Sequence, residues 1–138
     1  GDHAKTSPFP PHKYTRRLVA YTGTHDNDTL MGWWQDLASS KSGRKVRRYV
    51  NRYLNMRDRE FNWKCIRTLM ASVADLVIFP VQDILGLGKD GRMNRPGVSS
   101  GNWAWRMSPN CLTEELSGRL LEMVELYGRD EPYSESEM

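Results

Sequence analysis

The side chains best suited to chemistry stand in one short run, Thr24-His25-Asp26-Asn27-Asp28-Thr29. An imidazole beside carboxylates can transfer protons, bind polar ligands or stabilise developing charge. A structural explanation competes for part of the run, because Asn27 or Asp28 can cap a following helix. Capping does not account for the adjacent pair His25 and Asp26. A functional site and a helix cap therefore both stay open as interpretations.

The elements around this run place it at the end of a strand. Residues 18–22 are apolar or β-branched and predict a short buried strand, which Gly23 ends. A helix over about residues 28–38, carrying Trp33 and Trp34, is predicted to follow. In parallel α/β folds, active sites lie at the carboxyl ends of the strands, where this polar run falls.

A second strand is predicted at residues 75–79, where the apolar run is continuous and typical of a parallel strand buried on both faces. Helices over residues 44–54 and 59–74 separate the two strands, so the order predicts a right-handed parallel crossover. The polar, glycine-containing loop at residues 81–97 should then emerge beside His25 and Asp26 and share one cleft with them. Its glycines lack the spacing of a phosphate-binding loop.

The remaining segments carry weaker signals. The folded segment is predicted to span residues 18–127. The proline-rich residues 1–17 before it predict an extended lead-in, and residues 128–138 after it predict a frayed tail. A last helix should begin after Thr113, its N-cap, and run to about Tyr127. Trp103 and Trp105, with Arg106, suit either core packing with a surface ion pair or an apolar platform under a flat ligand.

The composition predicts one soluble globular domain without a membrane span. The chain has 138 residues, of which 38% are hydrophobic and 27% charged, and it carries a net charge of +3. The two cysteines have no metal-ligand or disulfide spacing, which weakly favours a reducing compartment; Cys65 falls in an apolar helical pattern. Neither a metal nor a cofactor is predicted. The start at Gly1 does not resemble a secretory signal, and a chain cut from a longer one would look the same.

Basic residues concentrate in one segment, which predicts either a solvated helix face or a surface that tracks phosphates. No nucleic-acid-reading motif accompanies the segment, so nucleic acid is the less favoured partner. Its members are Lys41, Arg44, Lys45, Arg47, Arg48 and Arg52.

Four motifs, in order along the chain, resemble the 4-α-glucanotransferases, also called amylomaltases or disproportionating enzymes. They span residues 21–34, 72–88, 92–97 and 102–106 and read YTGTHDNDT with GWW, SVAD with FPVQDILGLG, RMNRPG and NWAWR. The resemblance implies an α/β fold, the C-terminal part of a (β/α)₈ barrel comprising its last two strands with their helices. The chain would be incomplete as a barrel, since eight strand–helix units need on the order of 200 or more residues.

The resemblance also implies an activity and a set of roles. The family transfers α-1,4-glucan segments to an acceptor sugar by a retaining double displacement. Asp26 would be the catalytic carboxylate that stabilises the transition state, with His25 and Asn94 binding substrate; Gln82 is a weaker binding candidate from its position. Asp83 is expected to be structural. The nucleophile and the acid/base residue have no counterpart in this chain, which would be inactive alone.

The implied partners are an α-1,4-glucan or maltooligosaccharide and the remainder of the barrel, in the cytoplasm or a plastid. Two departures from the family pattern stand near Asn94. Many relatives have an acidic residue near Gly91, before the Arg-Met-Asn motif, where this chain reads Gly88-Lys89-Asp90-Gly91-Arg92, and Arg95 stands where a smaller or apolar residue is common. The latter could alter contacts with the acceptor. A non-catalytic carbohydrate-binding or protein-interaction module is the alternative function, and nucleic-acid binding through residues 41–52 is a weaker one.

Overall fold

The computed structural model describes residues 10–56 and 60–131, which fall into two compact units divided after Arg106. Short 3₁₀ turns at Pro11–Lys13, Leu37–Ser39 and Lys89–Gly91 supplement the regular elements. In chain order, these are β1 (Val19–Tyr21), α1 (Leu30–Asp36), α2 (Lys41–Tyr53), α3 (Phe61–Met70), β2 (Leu76–Ile78), α4 (Val81–Ile84) and α5 (Glu114–Leu126).

The two strands pair in parallel, as the strand–helices–strand order predicts. Val19 lies opposite Leu76, and the register continues to Tyr21 opposite Ile78. Both strands are shorter than predicted, with three residues each. The described residues thus form a partial α/β unit with a two-stranded sheet and not a closed barrel, in agreement with the predicted fold class.

One face of the sheet packs on the segment that connects the strands. Ala20 of β1 is buried with Leu69 and Ala74, and Leu18, Val77 and Phe79 pack against them. A second cluster joins α1 to α3, where the rings of Trp34 and Phe61 stack at 4.3 Å between centroids. These contacts fix the carboxyl end of β1 relative to the start of α1.

The other face of the sheet is uncovered, so the prediction of strands buried on both faces is wrong for this chain. Side chains alternate between faces along a strand, and the buried cluster of Ala20, Leu69 and Ala74 lies on one face. The side chains of the opposite face form a patch of apolar residues that are about half exposed. These are Val19 (48%), Tyr21 (53%), Leu76 (51%) and Ile78 (50%).

The helix starts follow their caps. Thr29 caps α1 by accepting a hydrogen bond from the Gly32 N–H at 3.1 Å, so α1 begins at Leu30 and not at residue 28. The predicted capping by Asn27 or Asp28 is wrong, because the N-cap is Thr29, whose hydroxyl faces the free N–H groups of the first turn of α1. Thr113 caps α5, as predicted, by accepting from the Leu116 N–H at 3.1 Å.

The other two long helices also depart from their predicted bounds. Ser40 caps α2 by accepting from the Gly43 N–H at 2.9 Å, and the helix therefore starts at Lys41 and not at residue 44. α3 is shorter than the predicted 59–74 because it ends at Met70. Residues 1–9 of the predicted lead-in and 132–138 of the predicted tail lie outside the described residues. Across residues 10–56 and 60–131, no helix combines the length and hydropathy that a bilayer span requires.

Candidate functional site

The first site loop (residues 22–29) connects β1 to α1 and forms a tight turn around Asn27. The Asn27 side-chain oxygen accepts hydrogen bonds from the backbone N–H of Thr24 at 2.7 Å and from its hydroxyl at 3.0 Å. The Asn27 N–H in turn donates to the Thr24 carbonyl at 3.1 Å. Asn27 is therefore the residue that closes the turn, and it leaves His25 and Asp26 exposed at the tip.

Asn94 of the second site loop (residues 85–103) meets the tip of the first. Its side-chain amide donates to Asp26 Oδ1 at 2.7 Å, and its backbone N–H donates to the His25 carbonyl at 3.0 Å. The His25 imidazole Nε2 lies 3.3 Å from the same Asp26 oxygen. The structure thus brings His25, Asp26 and Asn94 together, as the parallel strand order predicts.

Arg92 ties the two loops together through their backbones. Its Nη2 donates to the Asp26 carbonyl at 2.7 Å, and its Nε donates to the Asn94 carbonyl at 2.9 Å. A planar guanidinium suits this task because its donors point in fixed, divergent directions. The sequence offers no signal for this contact beyond the place of Arg92 in the RMNRPG motif, and it was not among the predicted site residues.

Trp103 lies against His25, with the two rings 5.0 Å apart between centroids and tilted by 40°. Its backbone N–H donates to the Met93 carbonyl at 2.7 Å, and its φ of +60° is unusual for a residue with a bulky side chain. Trp103 is 54% exposed, which favours the platform interpretation over core packing. Arg106 donates to the carbonyls of Trp103 and Trp105 at 3.1 and 2.8 Å and so serves as a backbone clamp.

A cavity of about 250 Å³ lies between the two loops, with His25, Gln82 and Trp103 in its lining. Asp26 and Asn94 stand outside this lining. The Gln82 side-chain amide donates to the Gly91 carbonyl at 3.2 Å, so one of its N–H donors is already used. Gln82 therefore shares this cavity with His25 but not with Asp26 and Asn94, and its role in binding stays a prediction.

Asp83 is buried beneath the first site loop, with 3% of its surface exposed. Its carboxylate accepts from the Thr22 hydroxyl at 2.5 Å and from the Leu30 N–H at 2.9 Å. Burial raises the pKa of Asp83, and these two hydrogen bonds oppose the rise, while the nearby Asp28 charge adds to it. These contacts agree with the expectation of a structural residue. Among the described residues, no group of three or more potential ligands could hold a metal ion.

Comparisons with known proteins give matches that agree with one another. The profile of the 4-alpha-glucanotransferase family covers residues 1–113. The 4-alpha-glucanotransferase of Synechocystis sp. is 48% identical over 93% of this chain and 25% of its own length. That of Thermus thermophilus is 42% identical over 90% of this chain and 25% of its own. Chloroplast proteins of the same description also match.

A solved structure matches the fold over the same extent. The amylomaltase of Streptococcus agalactiae in complex with acarbose aligns with a TM-score of 0.81 at 34% identity. The alignment covers 92% of this chain and 25% of that protein. This chain therefore spans about a quarter of the length of the proteins it matches.

Proposed function

This chain belongs to the 4-alpha-glucanotransferase family. We propose that it supplies the part of such an enzyme's active site that binds the sugar and stabilises the transition state. The whole enzyme would transfer α-1,4-glucan segments to an acceptor sugar by a retaining double displacement. The observation that carries the proposal is the convergence of His25, Asp26 and Asn94, drawn from two loops at one end of a parallel sheet.

In this proposal, Asp26 stabilises the transition state, as the resemblance to the family implies. Glycosyl transfer passes through a flattened, positively charged sugar ring, which a fixed carboxylate stabilises more than the neutral substrate. Asn94 holds Oδ1 of Asp26 at 2.7 Å. Among the described residues, the other carboxylate oxygen, Oδ2, accepts no hydrogen bond, so it can accept from sugar hydroxyl groups. His25 and the remaining Asn94 N–H would contact the same sugar.

A retaining mechanism needs two more carboxyl groups, about 5 Å apart, one as nucleophile and one as acid/base. We assign both to the remainder of the barrel, which would contribute the strands that this chain lacks. The uncovered apolar face of β1 and β2 supports this assignment, because a neighbouring layer of a barrel would bury it. The cytoplasm or a plastid would be the compartment of such an enzyme.

The decisive test replaces Asp26 by Asn in the longest polypeptide that contains this segment. The amide keeps the size of the side chain but loses its charge, so maltotriose disproportionation should fall by about 10²- to 10³-fold or more in kcat. Asp75→Asn is the matched control: Asp75 is also an exposed carboxylate, and it accepts from the Arg17 N–H at 2.8 Å at the opposite end of the strands. Normal turnover by the Asp26→Asn enzyme would remove Asp26 from the mechanism.

A non-catalytic sugar-binding role is the second candidate, favoured by the exposed Trp103 ring beside His25. Stacked aromatic rings bind the apolar face of sugars without any chemistry. Titration calorimetry of residues 1–138 with acarbose separates the two functions. Binding that Trp103→Ala abolishes, while Asp26→Asn leaves the disproportionation rate of the longer polypeptide unchanged, would favour the binding module.

A further inference from the structure

We propose that Asp83 is a positioning residue, which holds both ends of the first site loop and thereby sets the orientation of His25 and Asp26. It would not touch the sugar. The inference rests on the function proposed above for what the loop does, but the clamp itself can be measured without any substrate. Its importance lies in the fact that both exposed site residues depend on one buried carboxylate.

The two oxygens of Asp83 bond to opposite ends of the loop. Oδ2 accepts from the hydroxyl of Thr22, the first residue of the loop, at 2.5 Å. Oδ1 accepts from the N–H of Leu30, which directly follows the loop and starts α1, at 2.9 Å. With both ends attached to one rigid planar group, the distance that residues 23–29 must span is fixed. The Asn27 turn then determines where the tip lies.

Asp83 is itself held in place by a residue of α3. The Asn62 side chain of α3 donates to the Asp83 carbonyl at 2.9 Å, and both residues are buried. Gly86 allows this approach, because a Cβ at that position would lie 3.1 Å from the Asn62 amide nitrogen, and its φ of +68° also suits glycine. The backbone of Asp83, from which the carboxylate projects, is thus anchored to α3 and has little freedom to follow movements of the loop.

The same short helix also supports the second site loop. Gln82, next to Asp83 in α4, donates to the Gly91 carbonyl at 3.2 Å, just before Arg92. Arg92 then reaches back to the carbonyl of Asp26. Adjacent residues of α4 therefore brace both loops, and the meeting of Asp26 and Asn94 depends on this shared support.

Amide hydrogen exchange on the full 138-residue chain tests the clamp directly. The reporters are the N–H groups of Asn27 and Asn94, which donate to Thr24 and His25 and do not touch Asp83. In Asp83→Ala, both should exchange at least about fivefold faster, since two hydrogen bonds to the loop are lost. Asp83→Asn should stay within about twofold of the parent chain. Its amide can accept from Leu30 and, with the hydroxyl turned, donate to Thr22.

Two further variants keep this test decisive. Asp75→Ala removes a carboxylate that binds backbone at the far end of β1, and it should leave both reporters unchanged. If Asp83→Ala also accelerates exchange throughout α3, the Thr22→Val variant replaces it as the test. That variant removes only the hydrogen bond between Thr22 and Asp83 and keeps the one from Leu30. Unchanged reporters in Thr22→Val and Asp83→Ala would overturn the proposal. Faster exchange at Asn27 and Asn94, with α3 protected, would establish it.

Catalysis by the longer polypeptide supplies an independent readout. If Asp83 acts through Asp26, Asp83→Ala should lower kcat at least about tenfold in the parent but by less than about threefold in the Asp26→Asn background. Equal losses in both backgrounds would contradict a positioning role. If Asp26→Asn has no effect on turnover, the proposed function fails, while the exchange results still judge the clamp.

Discussion

Individual side chains at this site divide into those that face solvent and those that hold them in place. Asp26, His25 and Trp103 are exposed, whereas Arg92 and Asp83 bind the backbone that presents them. A catalytic carboxylate works only if its position is fixed before the substrate arrives. Under the proposed function, substitutions of the supporting residues should therefore lower activity without removing any direct contact to a bound sugar.

Arg92→Lys tests the bridge between the loops. A lysine ammonium cannot donate to the Asp26 and Asn94 carbonyls in the fixed geometry of the guanidinium, so the loops should separate. We expect kcat/KM for maltotriose disproportionation by the longer polypeptide to fall about tenfold. Arg48→Lys, on the exposed surface of α2, is the control for the same change in side chain. A rate equal to that control would exclude a role for the bridge.

The titration of Asp83 should appear in the pH dependence of stability. Burial raises the pKa of Asp83 above its usual value of 3.8, so the folded state favours the protonated form. The contribution of Asp83 to stability is therefore complete below that value and declines as the pH rises through the folded-state pKa. Because Asn does not titrate, the unfolding free energy of Asp83→Asn should gain on that of the parent chain over this window. Urea denaturation between pH 4 and 8 measures both unfolding free energies. If the value for Asp83→Asn minus that for the parent chain fell as the pH rose, the predicted direction would be wrong.

Cys65 should be a slow nucleophile in the folded chain. Burial, and secondly the charge of Asp83, raise the pKa of its thiol from 9.0 to about 12. At pH 8 the thiolate fraction is then about a thousandth of that of an unperturbed thiol. We expect iodoacetamide to alkylate Cys65 at least about 100-fold more slowly in the folded chain than in urea. Similar rates in both states, followed by peptide mass spectrometry, would show that the thiol is not shielded.

At the scale of elements, α1 depends on the Thr29 cap for its connection to the site. Thr29 is buried, and its hydroxyl accepts from the Gly32 N–H where the first site loop enters the helix. Thr29→Ala should lower the free energy of unfolding by about 1 kcal/mol, as loss of an N-cap typically does. Thr29→Ser keeps the hydroxyl and should lose less than half as much. Urea denaturation that ranks the two variants in the opposite order would rule out the cap as the cause.

Some of the basic side chains of α2 make contacts within the fold and are not all available to a ligand. The Arg47 guanidinium lies 4.4 Å from the centre of the Trp34 ring, and Arg44 donates to the Ala38 carbonyl at 3.2 Å. One of its cations thus packs on an aromatic ring and a second binds a backbone carbonyl, which leaves fewer to track phosphates. This weakens the nucleic-acid alternative, and a salt-dependent shift of the chain on duplex DNA would revive it.

At the scale of the whole molecule, the uncovered sheet face should make the short chain and the longer polypeptide respond oppositely to one substitution. Ile78 is half exposed here but would be buried once the remaining strands are present. Ile78→Lys should reduce self-association of residues 1–138, measured by sedimentation velocity. In the longer polypeptide the same change should cost about 3 kcal/mol or more in unfolding free energy, because it would bury an unpaired charge. Equal tolerance in both would argue against barrel completion at this face.

The sequence by itself determined the two parallel strands, the polar runs that follow them, the Thr113 cap of α5 and the family. These features depend on local chemistry: β-branched runs favour strands, hydroxyl groups cap helices, and parallel strands end at one edge. The sequence also predicted that the loops carrying His25, Asp26 and Asn94 emerge at the same edge, since both loops follow parallel strands.

Only the tertiary structure decided how that edge is held. The hydrogen bonds of Asp83 and Arg92, the contact of the Trp103 ring with His25 and the α1 cap at Thr29 depend on the distances and angles between packed groups. Asp83 and Leu30 are 53 residues apart, and Arg92 and Asp26 are 66 apart, so no local pattern connects them. The open face of the sheet was decided in the same way. A continuous apolar strand indicates that both faces can be buried, but whether a second layer is present is a property of the whole assembly.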